Sequence, residues 1–533
     1  MRPRTGFAAF VTIIGVAGAL AATAGPGAQA STVSQPGDRG ARLIPGDLLV
    51  STSYYLNDPG IVAGKTVLPP GSGSAGAVAI AGGNYPYVFN NDTVDASFGV
   101  TSPLFLDEFS PSGFLQGVIP VPSNELNTSF SSKSEGALNL SSDGKYVTFI
   151  DYVAAPDTVD ASNANTPGVI DPTNPVAGAD YRAVASLSGN GKWTFTETNA
   201  YSGNNGRAAV MAKVGGHYYE YTAGNAGNGA NPQPTGVVLG AGTQIITPSS
   251  LPEAAQNPGS PTPVGSFSVT ELGDKADKVG KDDNFRGLTL YNNVLYYTKG
   301  SGSNGVNTVY FLDTTGTACP NGVGVPAANA PLPASDIAST LTSAGLASNM
   351  CILKGFNTSL AKTDTTDFPF GIWFANPTTM YVADEGSGTF TYANGTYTDA
   401  NAGGLQKWTY NATAGEWQLA YTLRSGLGLG TPYTVLGYPT GTNSVTGLPW
   451  APATDGLRNI TGKVNPNGTV TVWGVTSTVS GGGDQGADPN KLVAITDELG
   501  ATSLPAAEEF RTAVPALYDQ VVRGVSFTPG TKK

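Results

Sequence analysis

The sequence predicts an all-β fold, a six-bladed β-propeller with long loop insertions, and three observations predict it. A unit of apolar-alternating strand, tight polar turn and second strand recurs, opening at Glu135, Arg207, Arg286, Phe370, Arg458 and Arg523; recurrence on this scale marks a repeat architecture. Gly (71) and Pro (38) abound while charged residues make up only 12% of 533, so turns are plentiful and long polar helices have little material. The strand opening at Arg523 has no partner after it, and residues 47–55 read as a strand with no inner strand before it. Joining the two completes a blade from both chain ends and removes an open sheet edge.

Taken in order, residues 1–30 read as a signal peptide: Arg2 and Arg4, an apolar run over 7–24, then Ala28, Gln29 and Ala30 as the small-residue cleavage motif. Residues 31–45 are a polar leader, and a single propeller domain occupies 46–533. No later stretch is apolar for the length of a membrane span. The expectation is a secreted, extracellular monomer. A net charge of −12 and a pI near 4.6 argue against nucleic acid or an anionic membrane as a general partner, because the whole-protein field repels phosphates.

The blade closed from both ends takes strands at 47–55, 103–109 and 114–121, with Ser110, Pro111, Ser112 and Gly113 as a turn. The next has strands at 137–140, 146–152, 181–187 and 193–198. The third runs from Arg207 through 218–221, 236–239, 243–247 and 266–272. The fourth opens at Arg286 and includes 294–297, 308–313 and 351–356. The fifth has 370–374, 380–383, 404–410 and 417–423, and the sixth 459–464, 470–476 and 491–496. Unit starts lie roughly 65 to 90 residues apart, beyond the ~40–45 of a compact blade, so long loops decorate the ring. That excess leaves seven blades as the competing count, since the third or fourth unit has length to hide another.

Cys319 and Cys351, the only two cysteines, lie in an insertion at about 314–356 that carries a predicted helix over 335–347 with Ser335 as N-cap. In an oxidising compartment they pair as a disulfide, worth about 3 kcal/mol in the chain-entropy model.

Four segments carry a resemblance: 103–113 (PLFLDEFSPSG), 134–146 (SEGALNLSSDGKY), 381–384 (YVAD) and 403–408 (GGLQKW). The chain resembles secreted bacterial β-propellers of the hypothetical-protein kind, loosely similar to phytase-like and gluconolactonase-like six-bladed propellers. The resemblance implies a fold and a secreted lifestyle; fold likeness assigns no activity.

If each unit's first strand lines the channel, the residues opening those strands gather at its mouth, namely Glu135, Arg207, Arg286, Arg458 and Arg523. Guanidinium groups suit bidentate recognition of carboxylates and phosphates, which points to an anionic small molecule or saccharide. The competing reading makes each Arg a staple between blades, paired with Asp283, Asp384, Asp455 or Asp519. Likeness to lactonase-like propellers implies a divalent cation held by carboxylate and amide oxygens, for which Glu135, Asn205, Asn284 and Asp384 are candidates, with Glu135 and Asp384 the carboxylates. The arginines stand where such a site would place oxygen ligands.

Other motifs are weak. Residues 71–76 and 300–305 match G-x-G-x-x-G without a βαβ context. His217 is the only histidine, so a triad or His metal cluster would hang on one residue. Aromatics at Tyr85, Tyr87 and Phe89, and at Tyr392 and Tyr397, could stack on sugars or pin loops. Three functions stay open: a binding module for an anionic small molecule or saccharide; an extracellular hydrolase or lyase of phytase-like or lactonase-like type using Glu135 or Asp384; and a cell-wall or protein-interaction scaffold.

Overall fold

Each recurrent unit folds into a small antiparallel sheet, and six such sheets form a ring. The computed structural model describes residues 42–55, 100–129, 134–168, 178–225, 243–249, 284–301, 305–319, 321–334, 350–363, 366–443, 446–481 and 486–532, with isolated positions between them. Blade 1 joins the two ends of the chain, its strands running outward as Gln520–Phe527, Leu48–Tyr54, Leu104–Phe109 and Leu115–Pro120. Leu48–Tyr54 is antiparallel to both Gln520–Phe527 and Leu104–Phe109, which is the closure the unpaired end strands call for. Blade 2 comprises Asn139–Leu140, Tyr146–Tyr152, Arg182–Ser188 and Trp193–Thr198; blade 3, Gly206–Val214, His217–Gly224, Thr243–Ile246 and Ser266–Phe267. Blade 4 has Leu288–Tyr291, Val294–Lys299, Thr308–Leu312 and Met350–Leu353, and adds Val323–Gly324 in parallel at its rim. Blade 5 is Pro369–Asn376, Thr379–Asp384, Gly404–Asn411 and Glu416–Leu423. Blade 6 is Ala453–Val464, Thr469–Val479, Leu492–Glu498 and Arg511–Val514.

The apolar core lies between neighbouring blades. Middle strands are covered on both faces, so Thr379–Asp384 is buried at every position, whereas the outer strand Leu115–Pro120 is largely exposed. This is why the middle strands read as near-continuous apolar runs and the rim strands do not. Tyr291 stacks on Phe374 at 4.4 Å between blades 4 and 5, and Trp473 meets Phe527 edge-on at 5.5 Å between blades 6 and 1.

Around the axis the inner strands meet backbone to backbone. A Cβ on Gly371 would lie 2.5 Å from the Arg458 carbonyl oxygen, and one on Gly524 would lie 2.5 Å from that of Gly136. On Gly287 it would fall 1.8 Å from the Phe370 carbonyl oxygen. The Arg-Gly pairs at 286–287 and 523–524 therefore combine a charged opening residue with the one side chain small enough for this approach. Ala137 and Ala208 bridge blades 2 and 3, and the Val525 amide donates to Asn459 Oδ1 at 2.6 Å across blades 6 and 1.

Several expectations are corrected. Order begins before residue 46: Leu43 is buried and its amide donates to the Gly189 carbonyl. In place of a helix over 335–347, the described positions form a two-residue hairpin, Leu341–Thr342 with Gly345–Leu346; the rest of that range lies outside the described residues. Blade 6 has a fourth strand, Arg511–Val514, too short to register as a period-2 run. Cys319 and Cys351 form a disulfide with Cα atoms 6.0 Å apart. The expected leader up to 41, the strand at 236–239 and the aromatics Tyr85, Tyr87 and Phe89 lie outside the described residues. Among those described, no helix is long and apolar enough to cross a membrane.

Candidate functional site

The residue opening each inner strand is held by the ring itself. Arg207, Arg458 and Arg523 are buried, Arg286 is half-buried, and Glu135 is enclosed. Their fields overlap: the Arg207 guanidinium is pushed down to about 9 by burial and then by Arg286, while Glu135 opposes that shift. Burial also lowers Arg286 and Arg523, with Arg458 adding to both; Glu385 and then Glu135 oppose the shift of Arg286, and Glu135 and Asp151 that of Arg523.

Their partners differ from the aspartates the sequence offered. Arg207 donates to Asn284 Oδ1, to the Phe285 carbonyl at 3.0 Å and to Asn205 Oδ1 at 3.3 Å. Arg523 donates to Ser53 Oγ at 2.9 Å and the Ser129 carbonyl at 2.8 Å. Arg458 pairs with Glu385 at 3.2 Å. Arg286 donates to Ser301 Oγ and, reaching across to blade 2, to Ser134 Oγ; among the described residues no carboxylate pairs with it. Of the aspartates considered as staples, Asp384 accepts from the amides of Gly386 and Phe368, Asp455 accepts from the Gly388 amide, and Asp283 lies outside the described residues.

Glu135 is fixed from the blade 2 side. Its Oε1 accepts from Tyr152 Oη at 2.5 Å and Asn205 Nδ2 at 2.7 Å, and its Oε2 is buried with no partner among the described residues. Tyr152 lies under Arg182, whose guanidinium carbon is 5.2 Å from the ring centroid. Arg182 is fully buried and donates to the carbonyls of Ser162, Ala164, Asp180 and Asn204, at 2.6–3.1 Å. It organises the loop behind the mouth, and nothing in its sequence context set it apart. Asp151 stands beside Glu135, and burial followed by that charge pushes its carboxyl well above the usual range.

The cation candidates do not converge into an oxygen cage. Asn205 turns its amide nitrogen to Glu135 and its oxygen to Arg207, and Asn284 gives its oxygen to Arg207. Asp384 sits in blade 5 with Asp367 and Glu385 as its charged neighbours; burial pushes it to about 7. A divalent ion beside Glu135 would also face the field of Arg207 and Arg523. His217 is exposed where its strand leaves the turn at Gly215 and Gly216, and Tyr397 is a loop pin, donating to the Pro449 and Ala451 carbonyls.

Beside Arg286 and Arg458 lies a cavity of about 210 Å³, lined also by Glu385, Asp455, Ser301 and Ser477. Burial, and next the charge of Asp399, push the Asp455 carboxyl up to about 8, and a hydrogen bond with Asp399 adds to the shift. Sequence reasoning missed Glu385 and weighed Asp455 only as a staple. The signal was Glu385-Gly386-Ser387-Gly388 directly after the buried 381–384 segment, a glycine-rich turn at the mouth end of a strand.

No family model and no curated protein matches the chain. Among solved structures, a polysaccharide lyase described as an ulvan lyase bound to a GlcA(1-4)Rha3S saccharide is similar over 80% of this chain and 91% of its own, at 11% identity and a TM-score of 0.30. A second structure of an ulvan lyase is similar over the same shares at 10% identity and a TM-score of 0.29. Similarity at this level says nothing about this chain's chemistry.

Proposed function

We propose that this protein is a secreted module that binds an anionic small molecule or an acidic saccharide unit at the channel mouth, through Arg286 and Arg458. The carrying observation is Arg286, a half-buried guanidinium whose hydrogen-bond partners among the described residues are serine hydroxyls, while it lines a cavity that it shares with Glu385, the carboxylate paired with Arg458. A cation removed from bulk water favours an anion there, and its planar fork suits a carboxylate, sulfate or phosphate. Ser301 and Ser477 add hydroxyls suited to a sugar or a phosphate ester. At about 210 Å³ the cavity falls below the ~300 Å³ of common small-molecule pockets, so it takes one acidic group or one sugar ring. Arg207, Arg523 and Glu135 sit behind it and hold the field rather than touch the ligand.

The test is the melting temperature of the mature protein against uronic acids, phosphorylated compounds, neutral sugars, and calcium with a chelator control. An acidic ligand at a hundredfold excess over its dissociation constant should add about 2.7 kcal/mol of stability. The gain should vanish in Arg286→Ala. Equal shifts in wild type and Arg286→Ala, or shifts with neutral sugars alone, would overturn the reading.

A second reading, hydrolysis or elimination on an acidic saccharide, is favoured by one observation. Asp455 lines the same cavity and holds its proton up to about pH 8, which suits a general acid beside a charge-stabilising guanidinium. Enzymatic release of products from an acidic polysaccharide, lost in Asp455→Asn while anion binding persists, would make the protein an enzyme.

A further inference from the structure

Away from the mouth, on the face of blade 1 that packs toward blade 6, a carboxyl stands where the strand pattern calls for an apolar side chain. Asp107 lies on Leu104–Phe109, with Val50 opposite it on one neighbouring strand and Val118 on the other. Val50 and Phe109, which share its face, belong to an apolar core with Val514 of blade 6 and Val522 of the inner strand. Asp107 is only 5% exposed, and its Oδ1 is buried with no hydrogen-bond partner among the described residues. A hydrogen bond from the Thr52 side chain favours the ionised form, yet burial outweighs it and pushes the carboxyl up to about 6. An unpaired buried carboxyl costs stability, so packing alone would select an apolar residue here.

A cavity of about 370 Å³ opens beside this carboxyl, within the ~300–1,000 Å³ of ordinary small-molecule pockets. Its wall is apolar, built from Val50, Phe109, Val118, Val514 and Leu517. Its polar corner holds Asp107, Thr52, Tyr54 and Gln520, and Tyr54 is near enough to feel the Asp107 charge. Neither Lys nor Arg is among the described lining residues, so the corner has no counter-charge of its own. Leu115, Val118 and Leu517 are 46–56% exposed and give the lip an apolar surface. The net charge of −12 draws cations toward it.

We propose that this cavity between blades 1 and 6 is a second binding site, for a small organic cation whose apolar body lies on the valines and Phe109 while its protonated amine donates to Asp107. The amine supplies the hydrogen bond that the fold leaves unmade at Oδ1 and offsets the charge of the carboxylate. A neutral alcohol would meet the first need alone, and a carboxylate would be repelled. The site therefore selects the charge opposite to the one that the arginines at the mouth select, and it stands or falls independently of them.

The experiment is calorimetric titration and thermal melting of the mature protein with 2-phenylethylammonium. The controls are 2-phenylethanol, phenylacetate and methylammonium, which lack the charge, reverse it and lack the apolar body. The expected result is saturable one-to-one binding of 2-phenylethylammonium with a rise in melting temperature, and each control weaker by about tenfold or more. Asp107→Asn should weaken that binding about 30-fold or more, as loss of one partner of a buried charge pair does. Asp107→Leu should abolish it and raise the melting temperature of the ligand-free protein, because an unpaired polar group gives way to one that its neighbours can pack. Absence of saturable binding, equal binding of 2-phenylethanol, or wild-type affinity in Asp107→Asn would each overturn the proposal. If Asp107→Leu does not fold, Asp107→Asn and the wild-type controls decide.

Discussion

Lys407 and Asp497 are fully buried, 2.9 Å apart, and surrounded by two tyrosine hydroxyls and a backbone carbonyl. Beside the cavity lined by Arg286 and Arg458, Arg286 is half-buried and among the described residues donates to serine hydroxyls, while Arg458 has one carboxylate, Glu385, at 3.2 Å. Both regions place charge where water is scarce. The first saturates that charge internally and so joins two blades; the second leaves positive charge under-compensated beside a cavity. Internal saturation serves the fold, and incomplete saturation is what a ligand can exploit.

The hardest way to break this contrast is to remove one partner from the saturated pair. Asp497→Ala leaves the Lys407 ammonium buried without a counter-charge, and should cost about 3–5 kcal/mol in denaturant unfolding. A loss below about 1 kcal/mol would mean that water reaches this pocket as it reaches the mouth.

Next is the backbone approach that positions the mouth. Gly287→Ala puts a methyl 1.8 Å from the Phe370 carbonyl oxygen, so the inner strands of blades 4 and 5 must move apart at about 1–3 kcal/mol. Gly500→Ala, with open space around it, is the control and should be near neutral. Thermal melts of the two variants measure the difference.

Asp455 sharpens the contrast through pH. Its folded value of about 8 stands above the ordinary 3.8, so between these limits the folded state holds a proton that the unfolded chain has lost. Its contribution is therefore fully present below about pH 4 and falls as pH rises toward 8, by at most about 1.4 kcal/mol per pH unit. Asp455→Asn should flatten the stability–pH curve over that window. An unchanged slope would show that Asp455 is ionised and in contact with water.

The smallest effect on stability belongs to Arg286→Ala. With no ion pair to lose among the described residues, it should change unfolding free energy by less than about 1 kcal/mol, yet abolish the anion-dependent rise in melting temperature. A large loss of stability would make Arg286 a blade staple.

How far the sequence reached can be judged from particular residues. The period of apolar strands and polar turns dictated the blades, because side chains buried between sheets must be apolar whatever their neighbours are. The unmatched strands at 47–55 and near Arg523 dictated closure, because an open edge has unpaired amides and carbonyls. At 286–287 and 523–524 an Arg is followed by Gly where the inner strand meets its neighbour backbone to backbone, an approach that leaves no room for a Cβ. Tertiary structure alone decided who pairs with whom. That Arg458 takes Glu385 rather than Asp384, and that Arg286 takes only hydroxyls, depends on positions fixed by ring closure to within an ångström. The same holds for Lys407 and Asp497, which lie on strands of blades 5 and 6. Spacing along the chain carries no signal for charges brought together by packing between blades, because such contacts are set by how two sheets rotate about a common axis.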